Sequence, residues 1–89
     1  MFLSSPQSSL LRSAQAASVL GVSKATLYKH IQMGILPASI KMGPGSVAWL
    51  ESELDAVISA RIAGYSESDI KELVSQITAQ RKLSFKEAK

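Results

Sequence analysis

The residues with the clearest binding chemistry lie on one face of a short predicted helix that begins at Ser23. At about 100° per residue, five side chains of this helix fall within an arc of roughly 140°. The members of this recognition arc are Lys24, Ala25, Tyr28, Lys29 and Gln32. Two amines, an amide, a phenol and a small alanine can contact phosphates and read base edges in the major groove of DNA. Ser23 and Thr26 fall in the first turn, where free backbone NH groups attract phosphate.

Simpler interpretations of the same residues remain open. Lysine and glutamine are common on solvated helix faces, and Ser23 serves equally well as a helix N-cap. Tyr28 is less expected on a solvated face, and no acidic residue lies on the recognition arc. We therefore predict a DNA-contacting surface. Outside the helix, we expect it to include Arg12, Lys41, Gly45 and Ser46.

The distribution of charge along the chain favours a polyanionic partner. Residues 1–50 carry four basic and no acidic residues, whereas residues 51–89 carry six basic and seven acidic residues, so +4 and −1 give the net charge of +3. A cationic surface without carboxylates attracts phosphate backbones. Ordinary solvation of four scattered charges is the simpler alternative, so charge alone does not decide the function.

Two short helices are predicted to position the recognition arc. The first begins at an N-cap, Ser13, and ends where Gly21 supplies a positive φ. Its inward residues are Ala16, Ala17 and Leu20. The second helix turns Leu27 and Ile31 inward and ends at Gly34. This pattern is typical of a helix-turn-helix, although an ordinary αα-hairpin has similar features.

A β-hairpin is predicted after the second helix, because the apolar pattern there changes to a period of two. Its apolar residues are Ile40, Met42, Val47 and Trp49, on either side of a turn at residues 43–45. A hairpin this short needs support from the helices.

Two further helices are predicted from the return of the helical period. The third begins near Glu51 and ends at Gly64, and its expected inward residues are Leu54, Val57, Ile58 and Ile62. In the fourth, Ser66 and Asp69 form a start that resembles a capping box. Its apolar residues are Ile70, Leu73, Val74 and Ile77.

The sequence therefore predicts a mainly α fold with a small β-hairpin, namely a winged helix-turn-helix with an extra C-terminal helix. We expect a flexible lead-in over residues 1–10 and a DNA-binding domain over residues 11–63. The C-terminal helix should span residues 64–82 and be followed by a frayed tail over residues 83–89. Its apolar stripe must pack either on its own domain or on a partner.

From Leu11 to Ile62, the chain resembles the AlpA family of phage and prophage regulators, winged-helix proteins related to excisionases and more distantly to MerR-type domains. The residues that carry the resemblance are Gly21, Val22, Ser23, Lys24, Ala25, Thr26, Leu27, Tyr28, Gly34, Pro37, Ser46, Val47, Ala48, Trp49, Ser52, Glu53 and Leu54. The resemblance implies that the helix from Lys24 reads the major groove, that the hairpin is a wing, and that Trp49 anchors it. It also implies a role in activating integrase expression or in excision.

The chain departs from the family pattern at two places. AlpA-like wings often carry a basic residue near the tip, where this chain has Gly43, Pro44 and Gly45. Wing contact should then rely on Lys41 and on the backbone NH groups of Gly45 and Ser46. Leu36 and Val57 stand where related sequences tend to have aromatic residues, which implies a lighter core.

Several classes of function lack the residues they need. The chain has no cysteine and a single histidine, His30, which favours a packing role over a metal ligand. No paired carboxylates, glycine-rich phosphate loop or activated nucleophile is recognisable, so we predict no enzyme, no cofactor and no metal. With no apolar run near the roughly 20 residues of a membrane span and no signal peptide, we expect a cytoplasmic, nucleoid-associated protein without membrane contact.

Double-stranded DNA is accordingly the predicted partner, and a sequence-specific regulator of phage or prophage genes is the predicted function. The C-terminal helix leaves open a homodimer, a cooperative assembly, or contact with an integrase or another protein. A protein-binding adaptor built on the winged-helix scaffold is the alternative.

Overall fold

The computed structural model describes residues 9–88, and side chains are described for residues 9–83. In chain order, the elements are β1 (Leu10–Leu11), α1 (Ser13–Leu20), α2 (Lys24–Gln32), β2 (Ile40–Gly43), β3 (Ser46–Leu50), α3 (Glu51–Ile62) and α4 (Glu67–Ala88). This arrangement of helices around a small antiparallel sheet confirms the predicted fold class. The sheet nevertheless has one strand more than the predicted hairpin.

The three strands pair in the order β1, β3, β2, and both pairings are antiparallel. The hairpin of β2 and β3, together with its turn, forms the wing. The additional strand β1 aligns Leu10 with Leu50 and Leu11 with Trp49. It has only two residues, so no alternating pattern marks it in the sequence. Its pairing gives the outer edge of β3 a partner and ties the start of the fold to the wing.

The starts of α1 and α2 are capped differently. Ser23 is the N-cap of α2, as predicted, because its hydroxyl accepts a hydrogen bond of 3.1 Å from the backbone NH of Thr26. For α1, the prediction of a Ser13 cap is wrong by one residue, since Arg12 is the N-cap and its backbone NH donates to the Gln15 side chain at 3.0 Å. Gly21 ends α1 with φ of 71°, as predicted.

One hydrophobic core joins all four helices to the sheet. Its largest fully buried apolar side chains are Trp49, Leu27, Leu54, Ile70 and Val57. Ile62 was expected to face inward, and that expectation is wrong, because 81% of its surface is exposed. The buried side of α3 is formed by Leu54, Val57 and Ala60. Ile62 lies roughly 140° around the helix from the centre of this side.

Helix α4 packs against its own chain. Ile70 and Val74 are buried in the common core, and Leu73 and Ile77 pack partly buried against it. Ser66 caps the helix by accepting a hydrogen bond from the Asp69 backbone NH at 3.1 Å.

The helix boundaries depart from the expected ones at both ends of the chain. Helix α4 spans Glu67–Ala88, whereas residues 64–82 were expected to be helical and residues 83–89 frayed. Leu10 was expected in the flexible lead-in but lies in β1. The remainder of that lead-in, residues 1–8, and Lys89 lie outside the described residues.

Candidate nucleic-acid interface

All the predicted contact residues lie at the surface of α2, the wing, or the start of α1. Every member of the recognition arc is exposed. Arg12, Ser23, Lys41 and Gly45 are also exposed, while Thr26 and Ser46 are partly buried. The surface is therefore sterically open to a large ligand.

The first turn of α2 is organised by two contacts between Ser23 and Thr26. Besides accepting from the Thr26 backbone NH, the Ser23 hydroxyl donates to the Thr26 hydroxyl oxygen at 3.1 Å. These contacts use the Ser23 hydroxyl to define the helix start. The neighbouring NH groups of Lys24 and Ala25, at the positive end of the helix dipole, are the donors that suit an external phosphate.

The outward face of α2 adjoins the wing through a ring contact. The Tyr28 and Trp49 rings lie with centroids 5.9 Å apart and planes at 69°, which is an edge-to-face pair. Trp49 is only 1% exposed, and Tyr28 is 44% exposed. Trp49 therefore lies between the core and α2, in agreement with an anchoring role. Tyr28, which was predicted on the recognition arc, is thus exposed on one side and contacts the core tryptophan on the other.

A second contact joins the start of α1 to the wing. One guanidinium nitrogen of Arg12, Nη1, donates to the Ser46 hydroxyl at 2.8 Å and to the Val47 carbonyl at 3.0 Å. Arg12 and Ser46 were predicted separately as DNA-contacting residues. In the structure they are in contact, although they are 34 residues apart in the sequence. Since a guanidinium carries five NH donors, Nε and Nη2 of this exposed arginine retain three for another acceptor.

The wing tip is a tight turn with an open depression beside it. Pro44 and Gly45 form the turn, and Gly45 has φ of 68°, a conformation that favours glycine. The residues lining the depression are Lys41, Gly43, Pro44, Gly45, Ser46 and Val47. None of them is acidic, and Lys41 supplies a positive charge. This surface has the chemistry for contact with a phosphate backbone.

The charged residues of the segment that forms this surface are all basic. No acidic residue occurs between residues 9 and 50. Just beyond, Glu53 at the start of α3 forms an ion pair with Arg81 of α4, with an N···O distance of 2.6 Å. The hydrogen bond with Glu53 raises the pKa of Arg81, a group that is charged at physiological pH in any environment. The sequence analysis named Glu53 only among the residues of the family resemblance and did not predict its pairing with Arg81, because no local signal links positions so far apart.

Other binding chemistries have little support within the described part of the chain. His30 is partly buried, and no group of three or more potential metal ligands occurs among residues whose placement is described. None of the described helices combines the length and apolar character that a transmembrane span requires.

Comparison with known proteins relates this part of the chain to a family of prophage regulatory proteins. The family described as "Prophage CP4-57 regulatory protein (AlpA)" matches residues 9–62, which include α1, α2, the wing and α3. A protein of Enterobacteria phage P4, described as "Uncharacterized protein ORF88", is 38% identical over 58 residues. The alignment covers 65% of this chain and 66% of the phage protein, just under two thirds of its length. No solved structure matches.

Proposed function

This chain belongs to the family of the prophage CP4-57 regulatory protein AlpA, and from that premise we propose that it binds double-stranded DNA through α2 and the wing. The observation that carries the proposal is the exposed, acid-free recognition arc on α2, held directly beside the wing by the Tyr28 and Trp49 rings. When a helix is flanked by a wing, the helix can enter a groove of DNA while the wing contacts the adjacent phosphate backbone.

The recognition arc supplies the base-reading part of the proposed interface. Helix α2 lies in the major groove, where Gln32 can bond adenine and Lys29 can bond guanine or phosphate. Ala25, which has a small side chain, lets the helix backbone approach the base edges closely. Lys24 and the free NH groups at the helix start contact a phosphate.

The wing and the start of α1 supply the phosphate contacts that position the protein on the DNA. Lys41 and the backbone NH groups of Gly45 and Ser46 contact the neighbouring phosphate backbone. Arg12 holds the base of the wing with one guanidinium nitrogen and directs its remaining donors to the same strand. Because the wing tip carries no arginine or lysine, this contact fixes register and adds little reading of the minor groove.

Salt dependence of binding to a DNA duplex from the region flanking the gene tests this proposal. If Arg12, Lys24, Lys29 and Lys41 all contact phosphates, log Kobs should fall with log salt with a slope of about −3 to −4. A protein-binding adaptor with a mostly apolar interface would give a shallow slope with its protein partner and weak, nonspecific binding to DNA. Absence of duplex binding at low salt would contradict the proposal.

Charge-matched variants locate the interface. Lys29→Ala should weaken binding to the specific duplex by about 1 to 2 kcal/mol. Arg61→Ala removes the same charge from an exposed position in the last turn of α3, and it should leave affinity nearly unchanged. Equal losses in the two variants would mean that net charge alone drives binding.

The proposed biological role is control of a phage or prophage gene, through integrase expression or excision. DNase footprinting on the flanking DNA separates these two roles, because a regulator of transcription protects a promoter and an excision factor protects an attachment site. A protected region longer than one domain can cover would support a homodimer or a cooperative assembly.

A further inference from the structure

The most elaborate polar contact in the described chain joins the segment that matches the family, residues 9–62, to helix α4 beyond it. Arg81 of α4 donates from Nε to Glu53 Oε2 at 2.9 Å and from Nη2 to Glu53 Oε1 at 2.6 Å. The same Nη2 donates to the backbone carbonyl of Ala38 at 2.8 Å. One guanidinium thus joins α4, the first turn of α3, and the loop of residues 33–39 between α2 and the wing.

The geometry of this contact makes it stronger than an ordinary surface ion pair. The Arg81 side chain is 24% exposed and the Glu53 side chain is 11% exposed, so solvent screens the pair only partly. The two parallel N–H···O bonds are the bidentate arrangement that arginine forms with a carboxylate. A lysine presents all its donors from one nitrogen and cannot reproduce this fork together with the carbonyl bond.

The Ala38 carbonyl lies in the loop between the recognition helix α2 and the wing, so a contact there can affect how the two are placed. Backbone hydrogen bonds tie the loop to α2 as far as Ile35, whose NH donates to the His30 carbonyl. The wing begins two residues after Ala38, at Ile40. Arg81 therefore holds the chain between the last bond to the recognition helix and the first residue of the wing.

We propose that Arg81 is a positioning residue for DNA binding, which fixes the wing relative to α2 by holding the Ala38 carbonyl. The inference rests on the proposed function. It adds that α4, a helix beyond the family match, sets the geometry of the DNA-binding surface without touching DNA. Loss of the contact releases the start of β2 and lowers the contribution of Lys41 to affinity, while Trp49 and Arg12 still hold β3 and α2 keeps its contribution.

Double-mutant cycles on duplex DNA test the proposal. In the wild-type background, Lys41→Ala on the wing should raise Kd about fivefold, as expected for the loss of one charged phosphate contact. In the Arg81→Ala background, the same change should raise Kd less than about twofold, because the chain that enters β2 next to Lys41 is no longer held in place. Lys29→Ala on α2 should cost the same factor in both backgrounds.

Lys82→Ala is the matched control background, since it removes one charge from the exposed neighbour of Arg81 on the same helix. In that background, Lys41→Ala should keep its full effect. If circular dichroism shows that Arg81→Ala is unfolded, the effect of Lys41→Ala is measured in the Arg81→Lys background instead, where the charge is retained.

Hydrogen exchange in the free protein supplies a readout that does not depend on DNA. In Arg81→Ala, the amides of residues 38–43 should exchange about tenfold faster while those of α1 and α2 keep their rates. A uniform acceleration would indicate general destabilisation and would overturn the positioning role.

The binding outcomes separate the inference from the proposed function. An equal effect of Lys41→Ala in the wild-type and Arg81→Ala backgrounds overturns the inference, and so does the absence of any effect in wild type. In both cases, a persistent Lys29→Ala effect leaves DNA binding through α2 standing, and only the second outcome also removes the proposed contact of Lys41. Failure of the wild-type protein to bind duplex DNA refutes both.

Discussion

Substitutions at Tyr28 should separate its structural contact from its proposed contact with DNA. The ring meets Trp49 edge to face at 5.9 Å, and a little over half of the residue is covered, since 44% is exposed. Tyr28→Ala removes the ring and both roles. Tyr28→Phe keeps the ring against Trp49 and removes only the hydroxyl.

The cost of Tyr28→Ala follows from the covered area. A fully buried tyrosine removes about 150 to 250 Å² from water, so Tyr28 covers about 100 Å², worth about 2.5 kcal/mol as an upper estimate. The edge-to-face contact contributes about 0.5 to 1.5 kcal/mol. Because the unfolded chain already covers part of this area, we expect Tyr28→Ala to lose about 2 to 3 kcal/mol.

Such a loss is measurable but not sufficient to unfold the protein. A chain of 89 residues has a typical free energy of unfolding of about 4 to 13 kcal/mol. Thermal unfolding followed by circular dichroism should show Tm lower by about 10 to 20 °C in Tyr28→Ala. Tyr28→Phe should melt within about 2 °C of wild type.

DNA binding by the two variants completes the test. Tyr28→Phe should raise Kd roughly fivefold through the loss of one hydrogen bond, measured by fluorescence polarisation below the Tm of each variant. Unchanged melting of Tyr28→Ala would refute the stabilising role of the ring contact. Unchanged affinity of Tyr28→Phe would refute the contact of the hydroxyl with DNA.

Two further substitutions test the core and the wing. Trp49→Ala should cost about 3 to 5 kcal/mol because the indole is 1% exposed; urea unfolding measures this loss, and a cost below about 1 kcal/mol would contradict the anchoring role. Gly45→Ala should cost about 1 to 2 kcal/mol because φ is 68° there. A calorimetric Tm equal to that of wild type would show that the turn adopts another conformation.

The features of the candidate interface that could be predicted are those that depend on residues close together in the sequence. The period of the apolar residues places Leu27 inside and the recognition arc outside, and the N-cap chemistry of Ser23 sets where α2 begins. Tyr28 was harder to place, because the helical wheel puts it inside the arc, between Lys24 and Gln32, and yet its ring contacts Trp49. A helical wheel gives the direction of that side chain but not what lies beside it.

The sequence alone therefore determined the kinds of elements, their order, and the chemistry of the exposed face of α2, since all three depend on residues within a few positions of one another. Only the tertiary structure decided that β1 pairs with β3, that Arg12 holds the wing, and that Arg81 clamps Glu53 and Ala38. These contacts join positions more than 25 residues apart, and their energy depends on packing and desolvation that no local pattern records.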